Sequence, residues 1–415
     1  LHAVDDAIVQ WRQALADGAD PGAALALRIA LLRALEMRDL MDEAHAEATE
    51  MLQLAAQGTA SPPQRFEAQI AVAFLYARRD RSLQALAILD ALPDLTDPRL
   101  RASALNARAT AMHKLDRPDE ANAMAEAALA TDGLSPEELR PALDSLIDVR
   151  WYRGQYREAL QLVARAGALA ETLNDRRGIL QALNRAGAML TQLGEWTTAE
   201  AKLREAAALA ARLGMVAYQR NTLFNLCVLH SEQSQPAALL ATARECWDLT
   251  PPMPLDMQRA LMRTAFIEAH GALGDLGAGF TWTLGGIDDA LALGRGFGAA
   301  ALCSTSGELL AVLGESQRLA PLLALLEAPA AKSVQVARDA WFVMASCALM
   351  DGRLDAARAA RQHVDDAQPI ESPRISLHMS LVDAALAQAA GDAAGALARL
   401  PADDAPGLND ELRWR

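Results

Sequence analysis

The residues that most often carry chemistry in proteins are scattered along this chain. Cys227 and His230 lie one helical turn apart, a spacing that two ligands of one metal ion can share. No second pair stands nearby in the sequence to complete a four-ligand zinc site. No two histidines are spaced i, i+4, and no CxxC pair occurs. The sequence therefore predicts no metal site.

A glycine-rich stretch and several hydroxyl and carboxylate groups raise the question of catalysis. The segment 294–300, GRGFGAA, superficially resembles a phosphate-binding loop, but no strand precedes it, so a linker between helices is favoured. Ser304 and Ser306 have no His–Asp partners at the level of a motif. The adjacent Asp365 and Asp366 are typical of a solvated helix surface. We therefore predict neither a catalytic residue nor a bound cofactor, and no enzymatic activity.

Composition and charge narrow the class of partner. The 415 residues are 52% hydrophobic but only 4% aromatic, which favours helices packed through alanine and leucine over a sheet. The net charge of −14 and the lack of a long basic run disfavour contact with nucleic acid. No uncharged apolar stretch is long enough to span a membrane. Four cysteines in apolar helical stretches predict buried thiols in a reducing cytoplasm, namely Cys227, Cys246, Cys303 and Cys347.

The stretch 181–213 contains the clearest structural pattern, two helices joined by a tight turn. Its small and apolar residues recur every three or four positions, which places them on one helical face. Gly187 and Ala199 are small at the point where the two helices would cross closely. Gly194 stands where the first helix must end and the chain reverse, a position that favours a residue tolerant of positive φ.

This pattern, with the aromatic Trp196 two residues after the turn, resembles a tetratricopeptide (TPR) repeat. The resemblance gains weight because equivalent turns recur at a period of about 39 residues along the chain. These turns fall at Asp39, Asp80, Asp116, Gly154, Gly194, Gln233 or Ser234, Gly274, Gly314, Gly352 and Gly391. The resemblance implies an all-α solenoid of about ten antiparallel helix hairpins that stack into a right-handed superhelix.

The same spacing predicts how the chain is divided. We expect residues 1–20 to be the remnant helix of a preceding repeat and residues 21–250 to form repeats 1–6. Residues 251–404 would form the more divergent repeats 7–10, and residues 405–415 the truncated start of a further helix. Both ends look cut, which suggests a piece of a longer protein. The proline-containing break at 250–254 predicts a bend or seam near the irregular sixth repeat.

In TPR proteins, first-helix residues about three, six and ten positions before the turn line a concave groove, and the resemblance carries this role onto the present chain. Trp151 and Phe224 are either aromatic anchors in the groove or packing residues between repeats. Asn106 and Asn184, at equivalent positions, either bind peptide backbone or bridge neighbouring helices. The candidate groove residues are Asn106, Thr110, His113, Asp144, Asp148, Trp151, Asn184, Thr191, Phe224 and Glu268.

The candidate groove is polar, aromatic and acidic, and lacks the basic set with which co-chaperone TPR domains hold a terminal carboxylate. A basic or neutral protein or peptide partner therefore fits its charge better. The patterns ALNRAGAMLTQLGEW and TLFNLCVLHSEQ are also similar to the helical arrays of MalT-like bacterial transcription activators. That resemblance implies a sensor of an inducer or partner that controls self-association, with a P-loop module upstream. The alternative is a free-standing scaffold that binds a peptide or protein.

Overall fold

Helices make up all the regular structure that the computed structural model describes, which covers residues 2–400 except 39, 79–80, 116, 250–252, 254, 295, 327–340, 342–343 and 366–372. No strand occurs within those ranges, so the all-α prediction is confirmed. Within them, no helix is both long enough and apolar enough to cross a membrane.

The helices follow one another with short connections. They are α1 (His2–Ala16), α2 (Pro21–Met37), α3 (Met41–Ala56), α4 (Pro62–Arg78), α5 (Ser82–Asp90), α6 (Pro98–Lys114), α7 (Pro118–Leu129), α8 (Pro136–Tyr152), α9 (Tyr156–Thr172), α10 (Arg176–Gln192), α11 (Trp196–Arg212), α12 (Val216–Glu232), α13 (Pro236–Asp248), α14 (Met257–Ala272), α15 (Leu276–Leu293), α16 (Gly296–Val312), α17 (Ala320–Leu326), α18 (Leu354–Asp365), α19 (Pro373–Ala389) and α20 (Ala393–Arg399). A 3-10 turn at Ser316–Leu319 precedes α17, and residues 344–350 are helical.

The chain divides into two compact units, Leu1–Val149 and Arg150–Arg415, with the boundary inside α8. The sequence-based seam near 250–254 stays a prediction, since most of that segment lies outside the described residues. The first unit has a continuous core of small and branched side chains, among them Leu35, Met51 and Leu75. Because most of its core positions are alanine or leucine, its helices bury their apolar faces only by packing on their neighbours.

The second unit shows the repeat most regularly in α9 to α12. Each of these helices has 17 residues, and they begin at 156, 176, 196 and 216, which are 20 residues apart. A helix pair therefore occupies 40 residues, the spacing at which the predicted turns recur in this region. Its cores contain alanine, leucine and thiol side chains, for example Leu203, Cys246 and Leu302.

Residues in the left-handed backbone conformation end the helices at the predicted turns. All the predicted turn glycines from 154 onward have a positive φ, as does Ser234. The values at these turns range from 52° at Ser234 to 81° at Gly391. The earlier turns predicted at Asp39, Asp80 and Asp116 lie outside the described residues. A second set of left-handed residues, unnoticed in the sequence, ends the second helix of several pairs: Asn174, Gly214 and Gly294.

Gly194 shows how such a turn works. With φ at 78°, its N–H donates to the Thr191 carbonyl at 3.1 Å, and the Glu195 N–H donates to the Leu190 carbonyl at 2.9 Å. This pair of bonds is the Schellman motif, which satisfies carbonyls that a helix end would otherwise leave unpaired. The chain is then directed at once into α11.

The close crossing of α10 and α11 depends on small residues, as predicted. A Cβ atom added to Gly187 would lie 2.5 Å from Cγ of Leu203 and 3.3 Å from the Ala199 carbonyl oxygen. The first contact is closer than real Cβ atoms show, the second is tighter than most Cβ contacts, and Ala199 itself is fully buried. Gly187 and Ala199 are therefore packing residues.

We predict that Gly194→Ala destabilises the protein through its backbone alone. No atom lies within 4 Å of the added Cβ, so the cost is that of a left-handed non-glycine residue, roughly 1–2 kcal/mol. The midpoint of urea unfolding, followed by circular dichroism, should fall.

The control is Gly277→Ala in α15, where φ is ordinary and the added Cβ meets only open space and one oxygen at 4.0 Å. It should be neutral or stabilise by up to about 1 kcal/mol. Equal losses would contradict the backbone argument.

Candidate functional site

A cavity of about 1060 Å³ lies in the second unit. Its wall is formed mainly by α12, α14 and α16, by helical residues 344–350, and by α19 and α20, with the first residues of α13 and α15. The helices α12, α14 and α16 are the first helices of successive pairs, and α14 packs on both of the others. These are the elements to which the TPR resemblance assigns a groove.

The polar end of the cavity is built by α12, the turn after it, and α14. The Ser231 hydroxyl donates to a carboxylate oxygen of Glu268, which ties α12 to α14. Glu232, at the end of α12, also lines this end and is buried. None of the described residues that line the cavity is a lysine or arginine. The charged side chains of its wall are therefore two carboxylates.

His230 adds a neutral imidazole to this end. Burial lowers its pKa below the usual range, against opposing effects of the Glu200 carboxylate and a hydrogen bond to Gln235. Its Nδ1 has no hydrogen-bond partner among the described residues, and the same holds for Oγ of Ser234 and Oε1 of Gln233. Buried polar atoms in native structures nearly always have a partner, in the protein or in bound water or ligand. This cluster therefore leaves hydrogen-bonding capacity unused beside the cavity.

The opposite end of the cavity, the apolar end, is formed by the later helices, whose exposed apolar side chains lie alongside the polar Ser304, Thr305, Ser346 and Gln388. Val312 at the end of α16 is 74% exposed, and Leu397 in α20 is 71% exposed. Three more large apolar side chains on the wall are exposed: Leu276, Met350 and Leu400. Large apolar side chains that face one concave space are characteristic of a binding surface.

Two thiols form part of the apolar wall and are unreactive. Cys303 and Cys347 are both buried. Burial raises the pKa of Cys347 to about 11, and it raises that of Cys303 further still. Both are neutral thiols near pH 7, whereas a nucleophilic cysteine needs its thiolate form. Cys227 and Cys246 are buried as well, so the prediction of buried thiols is confirmed.

One of the ten predicted groove residues, Glu268, lines this cavity. The two aromatic candidates lie elsewhere, half-buried against other side chains. The Trp151 ring meets the ring of Tyr156 edge-on, with centroids 5.1 Å apart. Phe224 packs against the core cluster that contains Leu226 and Phe266. Both rings thus make the packing contacts of the second interpretation, and their role as anchors stays a prediction.

The asparagine candidates are buried. Asn184 accepts a hydrogen bond from the side-chain amide of Asn225 at 2.9 Å, and this bond joins α10 to α12. It corresponds to the bridging alternative. In the first unit, the Asn106 side-chain oxygen has no hydrogen-bond partner among the described residues. Asn106 therefore keeps the capacity to accept a bond from a ligand.

The remaining candidates are divided between the two units. The hydroxyls of Thr110 and Thr191 donate to backbone carbonyls four residues earlier, which leaves their side chains turned onto their own helices. Asp144 is half-buried, 3.9 Å from Arg140, and Asp148 is exposed. Their role in binding stays a prediction.

Most of the cavity wall lies outside the three positions on each first helix to which the TPR resemblance assigns a groove. Val312 lies only two residues before its turn, and Leu397 belongs to a second helix. An apolar residue at a helix end is a detectable signal, but the same signal marks ordinary core positions. Only the folded arrangement separates the two cases.

The described residues contain no group of three or more His, Cys, Asp or Glu side chains arranged to hold a metal ion. The described residues that line the cavity carry two carboxyl groups, a neutral imidazole, neutral thiols, hydroxyls, side-chain amides and apolar groups. Such a set suits reversible binding through hydrogen bonds, charge and apolar contact.

The fold defines the chain as a TPR-like helical-repeat protein. It is similar to a Rap protein solved with competence and sporulation factor, with a TM-score of 0.57 and 14% identity over 83% of this chain and 97% of that one. It is also similar to the apo quorum sensor NprR of B. thuringiensis, with a TM-score of 0.55 and 14% identity over 82% and 97%. A third similar structure is aspartyl phosphate phosphatase F of Bacillus subtilis, with a TM-score of 0.52 and 14% identity over 84% of this chain and 94% of that one.

No family model matches the sequence, and no curated protein does. At such low identity, the likeness to the solved structures concerns the fold alone. The number of hairpins and the hand of the superhelix stay predictions.

We predict that His113 stays neutral well below pH 6 and makes the fold acid-sensitive. Burial, with a smaller effect of Lys114, lowers its pKa from 6.5 to about 4. The unfolded chain therefore binds this proton first, and the stability contributed by the neutral imidazole is lost as pH falls from 6.5 towards 4. Melting temperatures measured across this range should fall less steeply for His113→Gln than for the parent. Parallel curves would contradict the assignment.

Proposed function

We propose that this chain is a non-catalytic binding array that holds a peptide or protein segment in the cavity of its second unit. The observation that carries the proposal is the composition of that one space. Exposed Val312 and Leu397 face it from one end, and Glu232 and Glu268 face it from the other. Pockets for small ligands usually measure about 300–1,000 Å³, so this cavity has room for a short peptide.

Binding of a ligand in the cavity also gives a reason for the exposed apolar side chains of its wall. Full burial of a leucine or valine side chain stabilises a protein by about 1.5–3 kcal/mol, and an exposed side chain does not contribute this free energy. A ligand that covers Val312 and Leu397 recovers part of that free energy, which makes apolar contact the main driving force for binding. The solved structure of the similar Rap protein in complex with competence and sporulation factor supports a ligand-binding role for this fold.

The test compares two leucines that are almost equally exposed. Peptides that bind the parent protein are first selected from a random library, and their affinities are measured by fluorescence anisotropy. Leu397→Asp, in the cavity wall at 71% exposure, should weaken the selected peptides at least about tenfold, because it places a charge on the apolar contact. Leu83→Asp, at 72% exposure in the first unit, adds the same charge and should leave affinity unchanged.

Circular dichroism controls for folding in both variants, and exposed positions of this kind tolerate substitution. Equal affinity of the selected peptides for the parent and the Leu397→Asp variant would contradict the placement of the binding site in the cavity. Failure of the library to yield any binder would contradict peptide binding itself.

We further propose that the array belongs to a larger bacterial signalling or transcriptional regulator, as its resemblance to MalT-like arrays implies. The quorum sensor NprR, which has a similar fold, supports a sensing role. The sequence upstream of residue 1 tests this proposal, since a regulator of that type would carry a P-loop module there. A scaffold role is favoured if no such module is present.

Sedimentation of the parent protein with and without a selected peptide would show whether occupancy of the cavity by the peptide controls self-association.

A further inference from the structure

We infer that the cavity selects peptides that carry a cationic side chain and, roughly five or six residues away, a large apolar one. This inference rests on the proposed function, because it names the class of peptide that the cavity takes. It follows from the separation of charge and apolar surface along the wall.

The charged end attracts a cation. Glu268 lies on α14, and its carboxylate is held by the Ser231 hydroxyl of the neighbouring helix. Glu232 lines the same end, and none of the described lining residues is a lysine or arginine. A partly buried carboxylate interacts more strongly with a ligand ammonium or guanidinium than a fully solvated one does. The reason is that the effective dielectric constant near a protein surface is lower than that of bulk water. An anionic ligand would meet two like charges here.

A second observation, independent of the carboxylates, also indicates a polar ligand group at this end. His230 is 4% exposed, lines the cavity and has no partner for Nδ1 among the described residues. Nearby, Oγ of Ser234 is also without a partner in the described structure. An unprotonated imidazole nitrogen and a hydroxyl oxygen can accept a hydrogen bond from a peptide N–H or from an ammonium group. The end is thus equipped for a hydrogen-bonding cation rather than for an apolar side chain.

The apolar side chain that sets the spacing is Met350, which lies two helix pairs beyond α14, whereas Val312 lies one pair beyond it and Leu397 three. Gly307 of α16 sits beside the helical residues 344–350, since a Cβ placed on it would be 3.1 Å from Cε of Met350. Packed helices are roughly 8–10 Å apart, so the step from α14 through α16 to Met350 covers roughly 16–20 Å. An extended peptide advances about 3.3 Å for each residue. A ligand cation at Glu268 and an apolar side chain at Met350 are therefore separated by roughly five or six residues of an extended peptide.

The experiment uses the full chain and the peptides selected from the random library. We expect the enriched sequences to contain lysine or arginine at the stated distance from leucine, isoleucine, methionine or an aromatic residue. The best peptide is then made again with glutamate in place of its basic residue. The replacement should weaken binding to the parent at least about tenfold. Raised salt should reduce the difference between the two peptides.

Glu268→Gln identifies the recognising group. The glutamine side-chain oxygen can still accept the Ser231 hydrogen bond, so the contact between α12 and α14 is kept. The variant should bind the basic peptide about tenfold more weakly than the parent does and should discriminate little between the basic and acidic peptides. The control is Glu67→Gln, which removes a half-buried carboxylate of the first unit that pairs with Arg99. It changes net charge by the same amount and should preserve discrimination.

The outcomes separate the two proposals. Selected peptides that lose affinity with Leu397→Asp but show no basic preference, or an acidic one, would overturn this inference and leave the proposed function standing. The same holds if Glu268→Gln keeps full discrimination. Selected peptides that are indifferent to Leu397→Asp, or a library that yields none, would overturn both.

Discussion

The helix-ending turn in the left-handed conformation is the constraint on which the rest of this structure depends. At Gly194, two backbone hydrogen bonds end α10 and direct the chain into α11 within three residues. The same geometry recurs at Gly154 and Gly274, and Ser234 adopts it without being glycine. Because the turn is short and helices α9–α12 have equal length, successive helices are brought side by side in a regular order.

Small side chains turn that order into close packing. Gly187 and Ala199 let α10 and α11 approach until Leu203 fills the space where a Cβ would stand. An Ala-rich hairpin has too little apolar area to be stable alone, so each pair must bury its remaining face on the next pair. Polar side chains then tie neighbouring first helices together, as Asn225 does to Asn184 and Ser231 does to Glu268.

The cavity follows from what this packing leaves over. Along α12 and α14 the lining includes His230, Glu232 and Glu268, and a hydrogen bond from Ser231 to Glu268 links the two helices. Further along, Val312, Met350 and Leu397 remain exposed. The proposed peptide would match this wall in one orientation, with its cationic side chain at α12 and α14 and its apolar side chain further along.

The sequence by itself determined the helical class, the TPR-like pattern, the later turns and the small packing residues, because each is a local or periodic property. Gly194 and Gly187 can be read from spacing, since a turn and a close crossing permit few residue types. Whether Asn184 would bridge helices, or Val312 and Leu397 would stay uncovered, was decided only by the tertiary structure. Those outcomes depend on contacts between residues far apart in the chain, and the sequence pattern is the same for a buried apolar side chain as for one that lines a cavity.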